Sequence, residues 1–218
     1  IKERYAITRE EELETLLDII SSTVGSLTNP RKLANTFDTL KHNDFSAITI
    51  KKYLEYVCDS FLVEKANRYD VKGKKYIDTP YKYYFADVGL RNALLNFRQS
   101  DNSHVMENII YNELRMRGFN VDVGVVPVVV REEGRQSRRQ YEIDFVCNLG
   151  SARYYIQSAY RMENEEKVAQ EQASLRNIDD SFKKIVILGE HTPVLRNESG
   201  ITTISIYDFL LNPNSLEL

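Results

Sequence analysis

Three polar side chains have the types and spacing for metal-assisted phosphodiester chemistry. Glu107 lies in a helical stretch (HVMENIIYNELRMRG), Asp144 in the middle of a strand-like one (QYEIDFVCN), and Gln157 near the end of the next (ARYYIQSAY). A divalent ion that polarises a phosphate and acidifies a bound water is hard, so its oxygen ligands must converge from different elements. In such a site Glu107 and Asp144 are the candidate metal ligands, for Mg²⁺ if any, and Gln157 offers an uncharged carbonyl. A lysine that orients water or offsets charge belongs two residues on, where the chain has Ala159. The catalytic set Glu107, Asp144 and Gln157 is therefore degenerate. Lys167, on the following helical stretch, is either a displaced lysine or one more solvated helix residue.

The elements that must position these groups can be read from periodicity. Val105, Ile109, Ile110 and Leu114 give 104–117 one apolar helical face, and Gly118 ends it. Residues 119–130 are β-rich, with Gly124 and Pro127 marking a bulge or break. Residues 131–139 (REEGRQSRR) form a charged turn. Alternation then puts Glu142, Asp144 and Val146 on one face of a strand, and Tyr155, Gln157 and Ala159 on one face of the next. A polar helix (163–177), an apolar strand (182–189) and a strand running into a helix (201–211) follow. From His104 the order is α-β-β-β-α-β with a further β-α.

Upstream, Thr8 and Glu11 form a capping pair for a helix over 8–25 that Gly25 stops. Asn29-Pro30 opens a second helix to about Lys41, and 47–60 form a third with Ile50, Tyr53, Leu54 and Val57 inward. Two short strands then flank a basic turn at Asp70–Lys75, and a helix covers Gly89 to about Asn96. Three helices and a basic hairpin are a winged-helix arrangement. Its third helix exposes Lys51 and Lys52, and its wing tip carries Lys72, Lys74 and Lys75. Together with Arg135, Arg138 and Arg139 these are the candidate nucleic-acid contacts, since lysine and arginine supply most sequence-independent affinity for phosphates. The same residues also suit a solvated face. The polar segment 97–103 marks a boundary, giving a winged-helix domain at 1–98 and a second domain at 99–218.

Composition limits the partners. The 218 residues are 28% charged and 42% apolar, which suits a packed chain and excludes wholesale disorder. No run approaches the roughly 18 apolar residues of a membrane helix; no membrane partner and a cytoplasmic location are expected. Residues 1–100 hold 16 Lys/Arg against 14 Asp/Glu, and 101–218 hold 13 against 18. Any nucleic-acid contact, to DNA or RNA, must therefore come from a local patch. Cys58 and Cys147 are far apart and are expected to be free thiols in a reducing compartment. The tyrosines around 53–84 and 154–160 suit either base stacking or packing.

The order α-β-β-β-α-β with a helix Glu, a strand Asp and a position for (E/Q)xK resembles the PD-(D/E)xK, or restriction-endonuclease-like, fold. More closely, KYYFADVGLRNALL, an MEN helix, EIDFV and YYIQSAY resemble the C-terminal region, domain of unknown function 4143, of a prokaryotic AAA+ ATPase family. The likeness runs from about Arg31 to Ser205. It implies a mixed α+β or α/β chain, a winged helix followed by a nuclease-like domain, with ATP bound by an ATPase part preceding Ile1. The chain itself contains no GxxxxGK[ST]. It also implies the chain's own ATPase domain as partner, and oligomers formed through that domain. In the family pattern, metal falls to Glu107, Asp144 and position 157 and the lysine role to 159. The departures at Gln157 and Ala159 lead to the expectation of a non-catalytic nucleic-acid-binding or assembly module. The alternative is a Mg²⁺-dependent nuclease of weak activity through Glu107, Asp144 and Gln157.

Overall fold

The computed structural model describes residues 1–40, 45–98, 101–132 and 135–218, and only the backbone of 131, 132 and 135. It is a mixed α/β structure of seven α-helices and eight strands among the described residues, in two units. The first comprises Ile1–Ala66 and Asp78–Asn108, the second Asn67–Ile77 and Ile109–Leu218. The tip of one hairpin, Asn67–Ile77, thus belongs to the second unit.

In the first unit, helices α1 (Glu10–Ser22), α2 (Pro30–Thr39) and α3 (Ala47–Asp59) precede the base of a hairpin formed by β1 (Val63–Asp70) and β2 (Lys75–Phe85). Helix α4 (Val88–Leu94) follows. Asn29 caps α2 by accepting from Arg31 N, and Ser46 caps α3 by accepting from Thr49 N, each filling one of the orphan donors of a first turn. The expected cap at Thr8 is not used: α1 starts after Arg9 with no side-chain cap, three glutamates in its first turn meeting the helix dipole instead. At its other end, fully buried Arg91 donates Nε–H to Ser21 O at 2.8 Å. Phe37, Phe45 and Tyr53 meet in sequence within the core, tilted and then edge to face, with centroids 4.7 and 5.1 Å apart.

The second unit is built on a mixed sheet. The full strand order is β2-β1-β3-β4-β5-β6-β8-β7, with β3 (Asn120–Glu132), β4 (Arg135–Leu149), β5 (Ala152–Ala159), β6 (Lys183–Leu188), β7 (Leu195–Arg196) and β8 (Ile201–Ser205). β3, β4 and β5 are antiparallel, while β1 joins β3, β6 joins β5, and β8 joins β6 in parallel. A register shift between Asp122 and Gly124 supplies the bulge expected near Gly124. On one face Val126, Ile143, Val146, Tyr155, Ala159 and Val186 close against Leu175 and Ile178, at the end of helix α6 (Glu165–Arg176) and just after it. On the other, the rings of Tyr111 and Phe119 meet Phe145 and Tyr154. Tyr111 belongs to helix α5 (Asn102–Met116), and helix α7 (Ile206–Leu211) packs on β6 and β8. The charged stretch 131–139 is mostly not a turn. Glu132 pairs with Arg135, and Arg138 and Arg139 are strand residues opposite Val129 and Val128. This ribbon outruns its neighbours, since β1 pairs β3 only at Val123–Val125 and β5 pairs β4 only over Phe145–Leu149. Among the described residues no helix is long and apolar enough to cross a membrane.

Candidate functional site

Glu107 falls in the first unit, Asp144 and Gln157 in the second. Alternation in β2 turns Lys82 and Tyr84 to the same side, and both reach one oxygen of Glu107. Lys82 Nζ lies 2.9 Å from Oε1, and the Tyr84 hydroxyl donates to the same atom at 2.6 Å. All three side chains are buried, so the charge of Glu107 is met by an ammonium and a phenol rather than by water. The next residue, Asn108, fixes the pairing by accepting from Phe85 N and donating to Phe85 O, both at 2.8 Å. Gly25 has its place here, not as a helix stop. Its φ is +71°, and a Cβ there would sit 3.2 Å from Glu107 Oε1 and from His104 Cδ2.

In the second unit, the last registered pair of β4 and β5 is Phe145 with Ile156. Asp144 and Gln157 are the next residue of each strand, so the topology brings these two candidates together. Asp144 is buried, and its Oδ2 accepts the Ser158 N–H at 2.9 Å. Gln157 Oε1 accepts from Ser174 Oγ on α6 at 3.4 Å. Ala159 is only 2% exposed and lies in the apolar cluster beneath α6. A lysine there would have to bury its ammonium among Tyr155, Leu175 and Val186, which accounts physically for the alanine. Lys167 is engaged with Glu171 on its own helix at 2.7 Å.

The donor set that this unit offers a divalent cation is poor. It consists of one carboxylate with an oxygen committed to a backbone amide, and one neutral amide committed to a serine. Hard cations take several oxygens and favour charged ones. Among the described residues no three His, Cys, Asp or Glu side chains gather into a group that could hold a metal ion. The two cysteines are free, and burial pushes the Cys58 thiol up to about 11, away from nucleophilic use.

The candidate nucleic-acid contacts sit on exposed positions. Lys51 and Lys52 project from α3, Lys52 Nζ lying 5.6 Å from the Tyr56 ring centre. Lys72, Lys74 and Lys75 surround the hairpin tip in the second unit. That turn is built for its shape: Asp70 Oδ1 accepts the Gly73 N–H at 2.8 Å, and a Cβ on Gly73 would meet Asp70 Oδ2 at 2.4 Å. Arg138 and Arg139 are exposed on β4, while the side chain of Arg135 lies outside the described residues. Sequence reasoning missed Lys82, Tyr84, Ser158 and Ser174. The one available signal was a lysine set between tyrosines in YKYYF, at a position where alternation demands an inward side chain.

Residues 1–101 match the family model described as Domain of unknown function (DUF8612). Over 211 residues the chain is 32% identical to an "Uncharacterized protein" of Haemophilus influenzae, covering 97% of the chain and 48% of that protein. It is 27% identical over 209 residues to "Uncharacterized protein MJ1544" of Methanocaldococcus jannaschii, covering 95% of the chain and 43% of that protein. The chain thus spans about half the length of these relatives. No solved structure matches it.

Proposed function

We propose that the chain is a non-catalytic nucleic-acid-binding or assembly module. In this reading a winged-helix part is joined to a restriction-endonuclease-like part whose nuclease site has decayed. The module acts as the C-terminal portion of a cytoplasmic AAA+ ATPase, whose remaining part binds ATP, sets the oligomeric state and is the first partner. The observation that carries this reading is the point where β4 and β5 cease to pair. There Asp144 serves the Ser158 amide, Gln157 takes a serine hydroxyl, and the lysine position is an alanine sealed in the core. The exposed lysines at the hairpin tip and on α3 support a role for phosphates. The relatives' greater length supports a larger whole.

Two assays on the same preparation test it. Cleavage of single- and double-stranded DNA and RNA with Mg²⁺ or Mn²⁺ is expected to be indistinguishable from that of Asp144→Ala. Cleavage present in the parent and abolished by Asp144→Ala would replace this reading with the weak nuclease. Binding to a labelled oligonucleotide is expected to fall linearly on a plot of log K against log salt, with a slope near 0.7 to 0.9 for each phosphate contacted. Flat, weak binding would leave the ATPase part as the partner.

A further inference from the structure

We infer that the face of the sheet bearing α6 also carries a platform for single-stranded nucleic acid, at the opposite end of β4 and β5 from Asp144 and Gln157. Its rungs run across the strands, all within the second unit. The Tyr76 and Tyr69 rings meet edge to face with centroids 5.5 Å apart. The guanidinium carbon of Arg153 lies 5.6 Å from the Tyr69 ring and 5.4 Å from that of Phe182. The sequence is ring, ring, cation, ring.

Packing alone accounts poorly for this row. The outer rings stay open, Tyr76 at 65% exposure and Phe182 at 40%, although apolar rings gain by burial. They are nevertheless fixed in place. The Tyr76 hydroxyl donates to Asp122 Oδ2 at 3.1 Å, and Arg153 Nε donates to Asn148 Oδ1 at 2.7 Å. Asp180 pins the segment carrying Phe182, taking the Tyr155 hydroxyl on one oxygen and the Phe182 N–H on the other. Asp122 and Asp180 are therefore occupied from within.

Cations stand at both ends. Lys72, Lys74 and Lys75 are exposed beside Tyr76 in the chain, on the pinned turn. Beyond Phe182 lies a cavity of about 220 Å³ whose lining includes Asp180, Phe182, Lys183, Lys184, Arg196 and the C-terminal Leu218. Lys184 is held by the Ile178 and Asp180 carbonyls, and Lys183 pairs with Glu217, but Arg196 has no side-chain partner among the described residues. Open rings interleaved with a guanidinium and ended by cations suit unpaired bases, whose faces stack and whose phosphates reach the flanks. A duplex keeps its base faces covered. The row offers little to read base edges, so binding is sequence-tolerant.

The inference rests on the reading of this chain as a nucleic-acid binder, and the test separates the two. The probes are a fluorescein-labelled 15-nucleotide oligo-dT, the matching oligo-U, and a 15-base-pair DNA duplex. The single strands are expected to bind more tightly than the duplex, and the dT and U arms report which sugar is preferred. Phe182→Ala and Tyr76→Ala are expected to weaken single-strand binding roughly 5- to 100-fold each, while Phe182→Tyr retains it. The chain has no tryptophan, so Phe182→Trp is a lone reporter whose emission should be quenched by oligo-dT. Unchanged thermal midpoints in the alanine variants confirm that the fold is retained. If a Lys72/Lys74/Lys75→Ala variant weakens all probes equally while the ring variants change nothing, the platform is overturned and nucleic-acid binding stands. If no probe binds, both are overturned.

Discussion

Glu107 and Asp144 are buried to nearly the same degree, 8% and 7% exposed, yet their charges are met by different chemistry. Glu107 is answered by Lys82 and Tyr84 at a distance of more than twenty residues along the chain. Asp144 is answered by a backbone amide on the adjacent strand. The first arrangement is a desolvated ion pair, costly to break because either partner alone is an uncompensated buried charge. The second includes a charge-assisted hydrogen bond at the point where two strands cease to pair. An acid at the position of a metal ligand can thus be fully employed within its own unit.

The largest expected effect follows from breaking the ion pair. Lys82→Met leaves Glu107 buried without its cation and should cost about 3–5 kcal/mol, read from urea unfolding midpoints. The double variant Lys82→Met/Glu107→Leu should recover most of that loss, because an apolar pair needs no compensation. A loss below about 1 kcal/mol in the single variant would show that water reaches Glu107. Asp144→Ala is the milder counterpart. It strands the Ser158 N–H and should cost about 1–3 kcal/mol, whereas Asp144→Asn keeps an acceptor and should cost less. Equal losses for Ala and Asn would mean that the charge, not the hydrogen bond, is what the fold uses.

A third acid extends the comparison to pH. Burial raises the Asp122 carboxyl above its ordinary value of 3.8, against the Tyr76 hydroxyl and the charges of Arg115 and Arg153. Because the folded form holds its proton more tightly than the unfolded one, this contribution to stability is complete below the ordinary value. It is lost as pH rises through the raised one. Asp122→Asn should therefore unfold with the parent at about pH 3 and be the more stable of the two at about pH 7. A parent that gains on the variant as pH rises would reverse the assignment.

These differences bear on what the chain discloses before folding. The Asn29-Pro30 start is a local pattern and was legible. The strict alternation expected in QYEIDFVCN was not: the register shift within β4 brings Ile143 and Val146 into one apolar cluster. That Asp144 and Gln157 lie on consecutive strands was legible too, but their adjacency needs the register that starts at Leu149 and Ala152. The Lys82–Glu107 pair, the parallel joining of β1 to β3, and the sharing of one hairpin between units depend on contacts between distant segments. No periodicity carries that information. Gly25 illustrates the limit: a glycine after a helix suggests a terminator, yet α1 ends at Ser22 and the residue makes room for Glu107. The 131–139 stretch erred in the opposite direction. Its charge suggested a loop, but residues 136–140 are exposed strand positions, where arginines in succession are tolerated.

Lys167 supplies the smallest and most discriminating case, since it was the candidate to replace the missing lysine at 159. It sits in the first turn of α6, where Asn164 accepts its backbone N–H, and its ammonium reaches Glu171 one turn on at 2.7 Å. Its side chain is 43% exposed, so the pair is largely screened and Lys167→Ala should change stability by less than about 0.5 kcal/mol. Unlike Lys82, it has no buried carboxylate depending on it. If Lys167 instead served chemistry near Gln157, the alanine variant would leave unfolding untouched while abolishing any metal-dependent cleavage that Asp144→Ala also abolishes. That joint loss would tie two residues of the second unit into one site, and the contrast with the ion-paired Glu107 would then be one of function as well as of packing.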